Sequence, residues 1–297
     1  MLVLIVGITG DLGQRLAREA LARGLKVRGL GRNADKLKPE ISQQLESFVT
    51  STSYGDIPAL DKATAGADAV ICAYSTDPIL YLDGSLPLLR AAERAGIKIF
   101  IAPSWMNDFT NMQRGDFPIY DALMSFKDQA ELTSPINPVY IINGTFAEWI
   151  YREPGDGPIV DTYFGDSDKY KRPWSTMDDA AVYTIEILLN GEGVREGKGG
   201  VFRFRSGEHT LREQAKVFER VTGRKVDLVR KGDLEDAERA LAEAKDRNPL
   251  SVWGYLLEAA AVVSAKGLYQ LKEPALDLSH VRKPTAFEEH LRKRYNL

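Results

Sequence analysis

Short apolar runs alternate with amphipathic stretches through the first half of the chain. The first run, residues 2–6, has no polar position, which is typical of a parallel strand covered on both faces. After a glycine-rich turn, residues 12–23 show the apolar spacing of a surface helix, and Gly24 ends it. The pattern predicts a strand-turn-helix unit at the N-terminus.

The same alternation continues to about residue 150. Strands that alternate with helices pair in parallel, because the chain must cross back before the next strand begins. We therefore predict that residues 1–150 form an α/β domain of the Rossmann type, a doubly wound parallel sheet. Its predicted strands lie at 2–6, 25–30, 47–50, 69–73, 97–102 and 139–142, and its helices at 12–23, 57–65, 80–95 and 122–132.

The second half of the chain, residues 151–297, has a different pattern. Glycine and proline interrupt residues 151–175, and capping residues such as Thr176 and the pair Thr210 and Glu213 then open helices. We predict a smaller C-terminal α/β substrate-binding region, with an approximate boundary that allows the two parts to interleave. Its predicted strands lie at 159–164, 201–205 and 226–229, and its helices at 176–189, 210–221, 234–246 and 251–265.

Composition narrows the function classes. The 297 residues are 44% hydrophobic and 27% charged, as in globular proteins, and a net charge of −3 disfavours a broad nucleic-acid-binding surface. The single cysteine, Cys72, excludes an internal disulfide, and the three histidines are far apart in sequence, so we expect no metal site. The N-terminal apolar run is too short to span a membrane. We expect a cytoplasmic monomer or homodimer without membrane or nucleic-acid partners.

Three glycines follow the first predicted strand at intervals of three residues, in the segment Gly-Ile-Thr-Gly-Asp-Leu-Gly. In a dinucleotide-binding turn, the first glycine permits the turn, the second lets the backbone approach a diphosphate, and the third lets the helix pack closely. The helix N-terminus adds free N–H groups and partial positive charge. We predict a dinucleotide site formed by Gly7, Thr9, Gly10, Asp11, Leu12 and Gly13.

The end of the second predicted strand indicates which dinucleotide binds. An acidic side chain there hydrogen-bonds the 2′-hydroxyl of NAD, whereas an arginine accommodates the 2′-phosphate of NADP. No Asp or Glu occurs between Leu25 and Asn33, and Arg32 stands at the strand end. We predict a preference for NADP(H), with Arg32 as the phosphate ligand and Lys36 as a second one.

These segments, with others further along, resemble the NmrA-like, isoflavone-reductase-like family of atypical short-chain dehydrogenases, including its fungal members. The Tyr-x-x-x-Lys pair of many short-chain dehydrogenases is absent from the chain, so a reductase of this type would arrange its proton chemistry otherwise. The resemblance implies a Rossmann fold, an NADP-dependent oxidoreductase and a place in secondary metabolism. The matching segments follow in order at 7–13, 30–32, 100–104, 126–127, 143–146, 176–179 and 207–224.

The resemblance also assigns residues to the reaction centre. Pro103 and Ser104 match the segment beside the cofactor, and Lys127 falls where the reductases carry their active-site lysine. Lys127 would donate a proton to an oxygen that gains charge as hydride arrives, or would hydrogen-bond the nicotinamide ribose. Tyr120 is a reserve proton donor. The alternative for Lys127 is a solvent-facing position on an amphipathic helix, and for Tyr120 packing at a helix start.

Large apolar side chains crowd the presumed mouth of this site, where they would suit a flat organic substrate. Core packing is the alternative for about half of them. Where the reductases carry Glu-Phe-Gly after Pro-Ser, this chain has Trp-Met-Asn, so the resemblance does not carry over the substrate itself. The candidate substrate contacts are Trp105, Met106, Phe146, Trp149 and Trp174.

We therefore expect an NADPH-dependent reductase that transfers hydride to a small conjugated or aromatic metabolite. Two alternatives use the same fold: a regulatory sensor that binds NADP without turnover, and an isomerase or dehydratase that retains the cofactor. Oxidation of NADPH against a panel of enones, quinones and aromatic carbonyls separates the reductase from the other two.

Overall fold

A parallel sheet forms the centre of the fold in the computed structural model, which describes residues 1–75, 77, 80–151 and 159–297. Most strands follow the apolar runs of the sequence, because a strand covered on both faces has no solvent side to keep polar. In chain order they are β1 (Leu2–Val6), β2 (Lys26–Gly31), β3 (Ser47–Thr50), β4 (Ala69–Cys72), β5 (Ile99–Ile101), β6 (Val139–Ile142), β7 (Thr145–Phe146), β8 (Ile159–Phe164), β9 (Arg172–Ser175), β10 (Gly200–Arg203), β11 (Gly207–His209) and β12 (Val226–Gly232).

Seven strands of the described chain are hydrogen-bonded in the order β10-β6-β5-β4-β1-β2-β3. Strand β1 is central and almost entirely buried, and Val3 lies opposite Val27 of β2 on one side and Ala69 of β4 on the other. Both pairings are parallel. The chain order reverses at β1, and in doubly wound sheets ligands bind at the carboxyl ends of the strands beside such a reversal. The predicted fold class is confirmed.

Most helices begin and end close to the predicted limits, although the α-helix predicted at 80–95 starts only at Ser85, after a π-helical turn at Leu80–Gly84. Helix α5 starts at Pro118 rather than at residue 122. Proline is favoured at the first position of a helix, because the N–H that it lacks would have no partner there. The earlier start places Tyr120 inside the helix. In chain order the helices are α1 (Asp11–Ala22), α2 (Pro39–Ser42), α3 (Ile57–Thr64), α4 (Ser85–Arg94), α5 (Pro118–Thr133), α6 (Met177–Asn190), α7 (Leu211–Thr222), α8 (Leu234–Arg247), α9 (Leu256–Ala265) and α10 (Phe287–Tyr295).

The described chain divides into two compact units, and each is interrupted in sequence. The first unit comprises Met1–Trp105, Asp121–Ile141 and Ala180–Phe202. The second unit comprises Met106–Tyr120, Ile142–Asp179 and Arg203–Leu297. The sequence predicted one approximate boundary, between 1–150 and 151–297, with interleaving allowed. The structure has several boundaries instead, because most of α6 and nearly all of β10 belong with the first unit.

The second unit has its own core. Trp174, Phe218, Phe287 and Leu291 are buried together, beside a short sheet of β11, β9 and β7. Helix α7 opens with the predicted capping box, in which Thr210 and Glu213 each satisfy the other's main-chain N–H. It ends at the predicted glycine, Gly223, whose φ of 70° lies in the left-handed region. These local signals fix α7, and the core then holds it.

Where the sequence predicted one helix at 251–265, the structure has a short turn followed by a helix that begins later than predicted. Residues Val252–Gly254 form a 3-10 turn, and α9 begins only at Leu256. Glycine at position 254 disfavours a continuous helix there. Within the part of the chain that the structure describes, no helix has both the length and the hydropathy needed to cross a bilayer.

Candidate dinucleotide site

The turn between β1 and α1 brings the predicted loop residues together at the carboxyl end of the sheet. Gly7 has a φ of 74°, and its N–H donates to the carbonyl of Leu30 at 3.1 Å. A Cβ on Gly7 would lie 2.5 Å from the carbonyl oxygen of Ala73, which directly follows β4. Gly7 is therefore required both by its backbone conformation and by the neighbouring strand.

The other two glycines of the loop have different reasons to be glycine. A Cβ on Gly13 would stand 2.3 Å from the carbonyl oxygen of Gly7, so this glycine lets α1 pack against the turn. Gly10 has a φ of −76° and a ψ of 168°, which any residue adopts. A Cβ there would meet Gly7 O at 3.2 Å and nothing else within 4 Å. The protein's own packing thus requires glycine at positions 7 and 13 far more than at 10.

The first turn of α1 offers main-chain donors beside Gly10. Gly10 is the N-cap residue and makes no side-chain capping bond. The N–H groups of a first helical turn have no partner within the helix, and together with the helix dipole they favour an anion. Asp11 is in this turn, but its exposed carboxylate pairs with Arg15. The turn from Thr9 to Gly13 is therefore a suitable cradle for a diphosphate.

Gln14 joins this turn to the loop that follows β2. Its side-chain amide donates to the carbonyl of Thr9 at 3.4 Å and accepts the N–H of Lys38 at 3.0 Å. The glycine-rich turn and the loop carrying the predicted phosphate ligands are thus held in register by one side chain. This contact was not predicted, because glutamine inside a helix gives no sequence signal of what it bonds.

The structure places both predicted phosphate ligands on the surface after β2. Arg32 directly follows the strand and Lys36 ends a 3-10 turn (Ala34–Lys36), and both are exposed. The guanidinium of Arg32 lies over the ring of Tyr54, 5.7 Å from its centroid. Tyr54 in turn meets Tyr74 edge to face at 5.0 Å. Burial raises the pKa of Tyr74, so its hydroxyl remains protonated at neutral pH.

The segment after β5 is buried, and its polar groups are already engaged. The hydroxyl of Ser104 donates to the carbonyl of Ala102 at 3.3 Å and accepts the N–H of Ile141 at 2.7 Å. The indole N–H of Trp105 donates to the hydroxyl of Thr184 at 2.8 Å. Pro103 is buried beside them. Ser104 therefore links neighbouring strands and Trp105 has a partner inside the protein. Their roles toward the cofactor and the substrate stay predictions.

Lys127 lies on α5 in the first unit, with 29% of its side chain exposed. Its ammonium pairs with the carboxylate of Glu131, one helical turn later. Opposite charges at this spacing on a helix attract each other weakly and exchange readily with water. The lysine is thus neither buried nor freely solvated, and its proton-donor role stays a prediction.

Tyr120, the other predicted proton donor, is 5% exposed and lies in the second unit. Its hydroxyl accepts the main-chain N–H of Asn107 at 3.3 Å and the side-chain amide of the same residue at 3.5 Å. Phe117 packs edge-on against its ring at 4.9 Å. Burial raises the pKa of Tyr120 to about 12, and the two bonds from Asn107 act in the opposite direction. A proton donor and a packing tyrosine both fit this geometry.

The predicted substrate contacts in the second unit have unequal exposure. Phe146 is buried, and Trp149, which is 44% exposed, meets it edge to face at 5.1 Å. Met106 is buried too, and its carbonyl accepts the N–H groups of residues 143 and 144. Trp174 is 1% exposed, and its indole N–H donates to Nδ1 of His209 at 2.8 Å. Trp174 therefore lies in the core of the second unit, and its predicted substrate contact stays a prediction.

Tyr54 and Tyr74 were not predicted as site residues, although one sequence signal was available for both. They follow β3 and β4, as Arg32 follows β2, and residues after parallel strands meet at one edge of the sheet. Neither lies in a recognisable motif.

Among the residues that the structure describes, no group of three or more His, Cys, Asp or Glu is placed to hold a metal ion.

Comparisons with known proteins agree with this architecture. The model of the NmrA-like family matches residues 1–291. Among curated relatives, a bifunctional pinoresinol-lariciresinol reductase of Linum usitatissimum is 27% identical over 270 residues, or 86% of this chain and 85% of that protein. The match therefore extends over both units.

Solved structures share the fold over nearly the whole chain. AtPrR2 with NADP+ and (+)-pinoresinol has a TM-score of 0.75 and 21% identity, covering 98% of this chain and 97% of its own. The binary complex of leucoanthocyanidin reductase with NADPH from Vitis vinifera also has a TM-score of 0.75, with 19% identity and 100% of both chains covered. At these identities the likeness establishes the fold.

Proposed function

Because the chain belongs to the NmrA-like family, we propose that it is an NADPH-dependent reductase of a small conjugated or aromatic metabolite. The observation that carries the proposal is Gly10. Its backbone conformation is open to any residue, and an added Cβ would have one close contact, with the carbonyl oxygen of Gly7 at 3.2 Å. The residue is nevertheless glycine, at the N-terminus of a helix without a side-chain cap. Close approach of a ligand to the main chain accounts for this choice.

The residues present fit a dinucleotide. The diphosphate would rest on the main-chain N–H groups of residues 11–13, where Gly10 leaves space above the backbone. Arg32 would contact the 2′-phosphate through charge-assisted hydrogen bonds, and Lys36 would add a second positive charge nearby. The named reductases among the relatives, and the NADP+ or NADPH in their solved structures, support the same cofactor here.

NADPH, when bound, supplies hydride. A residue of the chain must then donate a proton to the substrate. Lys127 is our candidate for the group that donates it to the substrate oxygen as negative charge develops there. Its ammonium pairs with the carboxylate of Glu131 one helical turn later. A second role for Lys127 is a hydrogen bond to the nicotinamide ribose, which would orient the cofactor without moving a proton.

The test of the reductase is the loss of NADPH absorbance with enones, quinones and aromatic carbonyls. We expect oxidation of NADPH by at least one substrate class, much weaker activity with NADH, and loss of activity in Gly10→Ala. Isothermal titration with NADPH in the absence of substrate gives the binding readout. If neither NADPH nor NADH binds the folded protein, the proposal is wrong.

Variants of Lys127 separate its two candidate roles. If Lys127 is the proton donor, Lys127→Ala lowers kcat by about 100-fold or more while NADPH binding stays close to normal. If it positions the ribose, the variant weakens NADPH binding instead. Gln129→Ala, an exposed change on the same helix, is the matched control. Unchanged kcat and unchanged binding in Lys127→Ala would remove this residue from the mechanism.

A second candidate function is an NADP-binding regulator without turnover. The observation in its favour is that the ammonium of Lys127 already has a carboxylate partner, Glu131, as in an ordinary surface ion pair. For a regulator we expect NADPH to bind with Gly10-dependent affinity while no member of the substrate panel is reduced. Binding and turnover measured on the same preparation therefore decide between the two functions.

A further inference from the structure

Three side chains from successive loops contact one another in series at the carboxyl edge of the sheet. Arg32 follows β2, Tyr54 follows β3 and Tyr74 follows β4. The Arg32 guanidinium lies 5.7 Å from the ring centroid of Tyr54, inside the range of a cation–π contact. The two tyrosine rings are 5.0 Å apart with an interplanar angle of 83°, an edge-to-face pair. Arg32 thus contacts the ring of Tyr54, and that ring is packed against Tyr74.

Arg32 has an aromatic neighbour but no acidic one. Among the residues that the structure describes, no carboxylate forms an ion pair with its guanidinium. On the same strand, Arg28 pairs with Glu46 at 3.0 Å and donates to two main-chain carbonyls as well. Arg28 is therefore satisfied within the protein, whereas the N–H groups of Arg32 remain available to an anion from outside.

The loop that carries Tyr54 is held by Asp56. One carboxylate oxygen of Asp56 accepts the N–H and the hydroxyl of Thr52, both at 2.8 Å, and the other caps α3 through the N–H of Ala59 at 3.2 Å. These bonds lower the pKa of Asp56, so it stays charged. The one acid of this loop, residues 51–56, is thereby bonded within its own loop and helix, and it forms no ion pair with Arg32.

We propose that Tyr54 is a determinant of NADP specificity, because the cation–π contact with its ring positions the Arg32 guanidinium for the 2′-phosphate. The inference extends the proposed function, since it rests on that cofactor. A free arginine loses side-chain freedom when it binds, and a ring that already orients the planar guanidinium reduces this loss. The guanidinium carbon lies 5.7 Å from the ring centroid, and its N–H groups form no ion pair with the described residues, so they can bond phosphate oxygens. Tyr74 keeps the ring of Tyr54 in place.

The test compares two probes that differ only in the 2′-phosphate: adenosine 2′,5′-bisphosphate and adenosine 5′-monophosphate. Isothermal titration gives the ratio of their dissociation constants for the wild type, Tyr54→Leu and Tyr54→Phe. We expect Tyr54→Leu to reduce the preference for the 2′-phosphate by about fivefold, or about 1 kcal/mol. Tyr54→Phe keeps the ring and should keep the preference. Circular dichroism verifies that each variant is folded.

A double-mutant cycle with Arg32→Gln tests whether Tyr54 acts through the arginine. We expect no further effect of Tyr54→Leu on the ratio once Arg32 is replaced. An unchanged ratio in Tyr54→Leu, an equal loss of both probes, or an undiminished effect in the Arg32→Gln background would each overturn the inference. These outcomes differ from failure of the proposed function, in which the wild type binds neither adenosine phosphate nor NADPH.

Discussion

Replacement of Gly10 by alanine should remove dinucleotide binding and leave the fold intact. The φ and ψ of Gly10 suit alanine, and the added Cβ would have one contact, at 3.2 Å. Alanine is a poorer N-cap than glycine by about 0.5–1 kcal/mol, and it restricts the unfolded chain for a gain of about 0.4–1 kcal/mol. We therefore expect a change of at most about 0.5 kcal/mol in the free energy of unfolding.

The effect of Gly10→Ala on binding should be much larger. In the proposed site the diphosphate bonds the N–H groups of residues 11–13, directly after Gly10, and a methyl group at position 10 would occupy space that this close approach needs. Moving the diphosphate out by the width of a methyl group stretches every hydrogen bond to these donors. We expect NADPH affinity to fall by at least about tenfold, which is about 1.4 kcal/mol.

Gly13→Ala is the matched comparison within the same turn. Its Cβ would lie 2.3 Å from the carbonyl oxygen of Gly7 and 2.8 Å from Cα of Ile8, so the turn and α1 must separate. Overpacking of this kind costs about 1–3 kcal/mol or more, and alanine recovers up to about 1 kcal/mol as the better helix former. We expect a net loss of about 1–2 kcal/mol in the free energy of unfolding.

Urea unfolding monitored by circular dichroism, together with titration of NADPH, gives both quantities for each variant. We expect Gly10→Ala to be stable and deficient in NADPH binding, and Gly13→Ala to be destabilised. Wild-type NADPH affinity in Gly10→Ala would refute the argument that a ligand explains this glycine. Unaltered stability in Gly13→Ala would refute the packing argument made from the Cβ distances.

Three further predictions concern single residues. Arg32→Asp should weaken NADPH binding by about 10- to 100-fold and shift the preference toward NADH, because a charge-assisted bond becomes a repulsion; equal affinities of the wild type for the two cofactors would contradict it. Trp174→Ala should cost about 3–5 kcal/mol in urea unfolding, since the side chain is 1% exposed, and a raised KM at unchanged stability would instead indicate a substrate contact. Burial lowers the pKa of His290 from its ordinary 6.5 to about 4. The unfolded chain then binds more protons between these values, so stability should fall as pH decreases from about 6.5 to 4, by about 1–2 kcal/mol after allowance for partial exposure. His290→Gln should reduce this slope, as measured by urea unfolding at pH 7 and 5.

The sequence by itself determined the local elements and the kind of turn that joins them. Apolar runs fixed β1 and β4, because strands covered on both faces have no polar positions. Gly7 fixed the turn through its positive φ, and Thr210 with Glu213 fixed the start of α7 through bonds between near neighbours. Each of these signals acts within a few residues, and it can therefore be recognised before the chain is folded.

Only the tertiary structure decided what distant residues do for one another. Most of α6 and nearly all of β10 belong with the first unit, although the chain reaches them after entering the second. Ser104 bonds a neighbouring strand and Trp174 lies in a core, and neither set of contacts could be predicted from the sequence. Tyr54 lies beside Arg32 only because parallel strands end at one edge of a sheet. The physical reason is that the burial of a side chain and its bonding partners depend on which distant segments pack together. The residue type alone does not specify that partner.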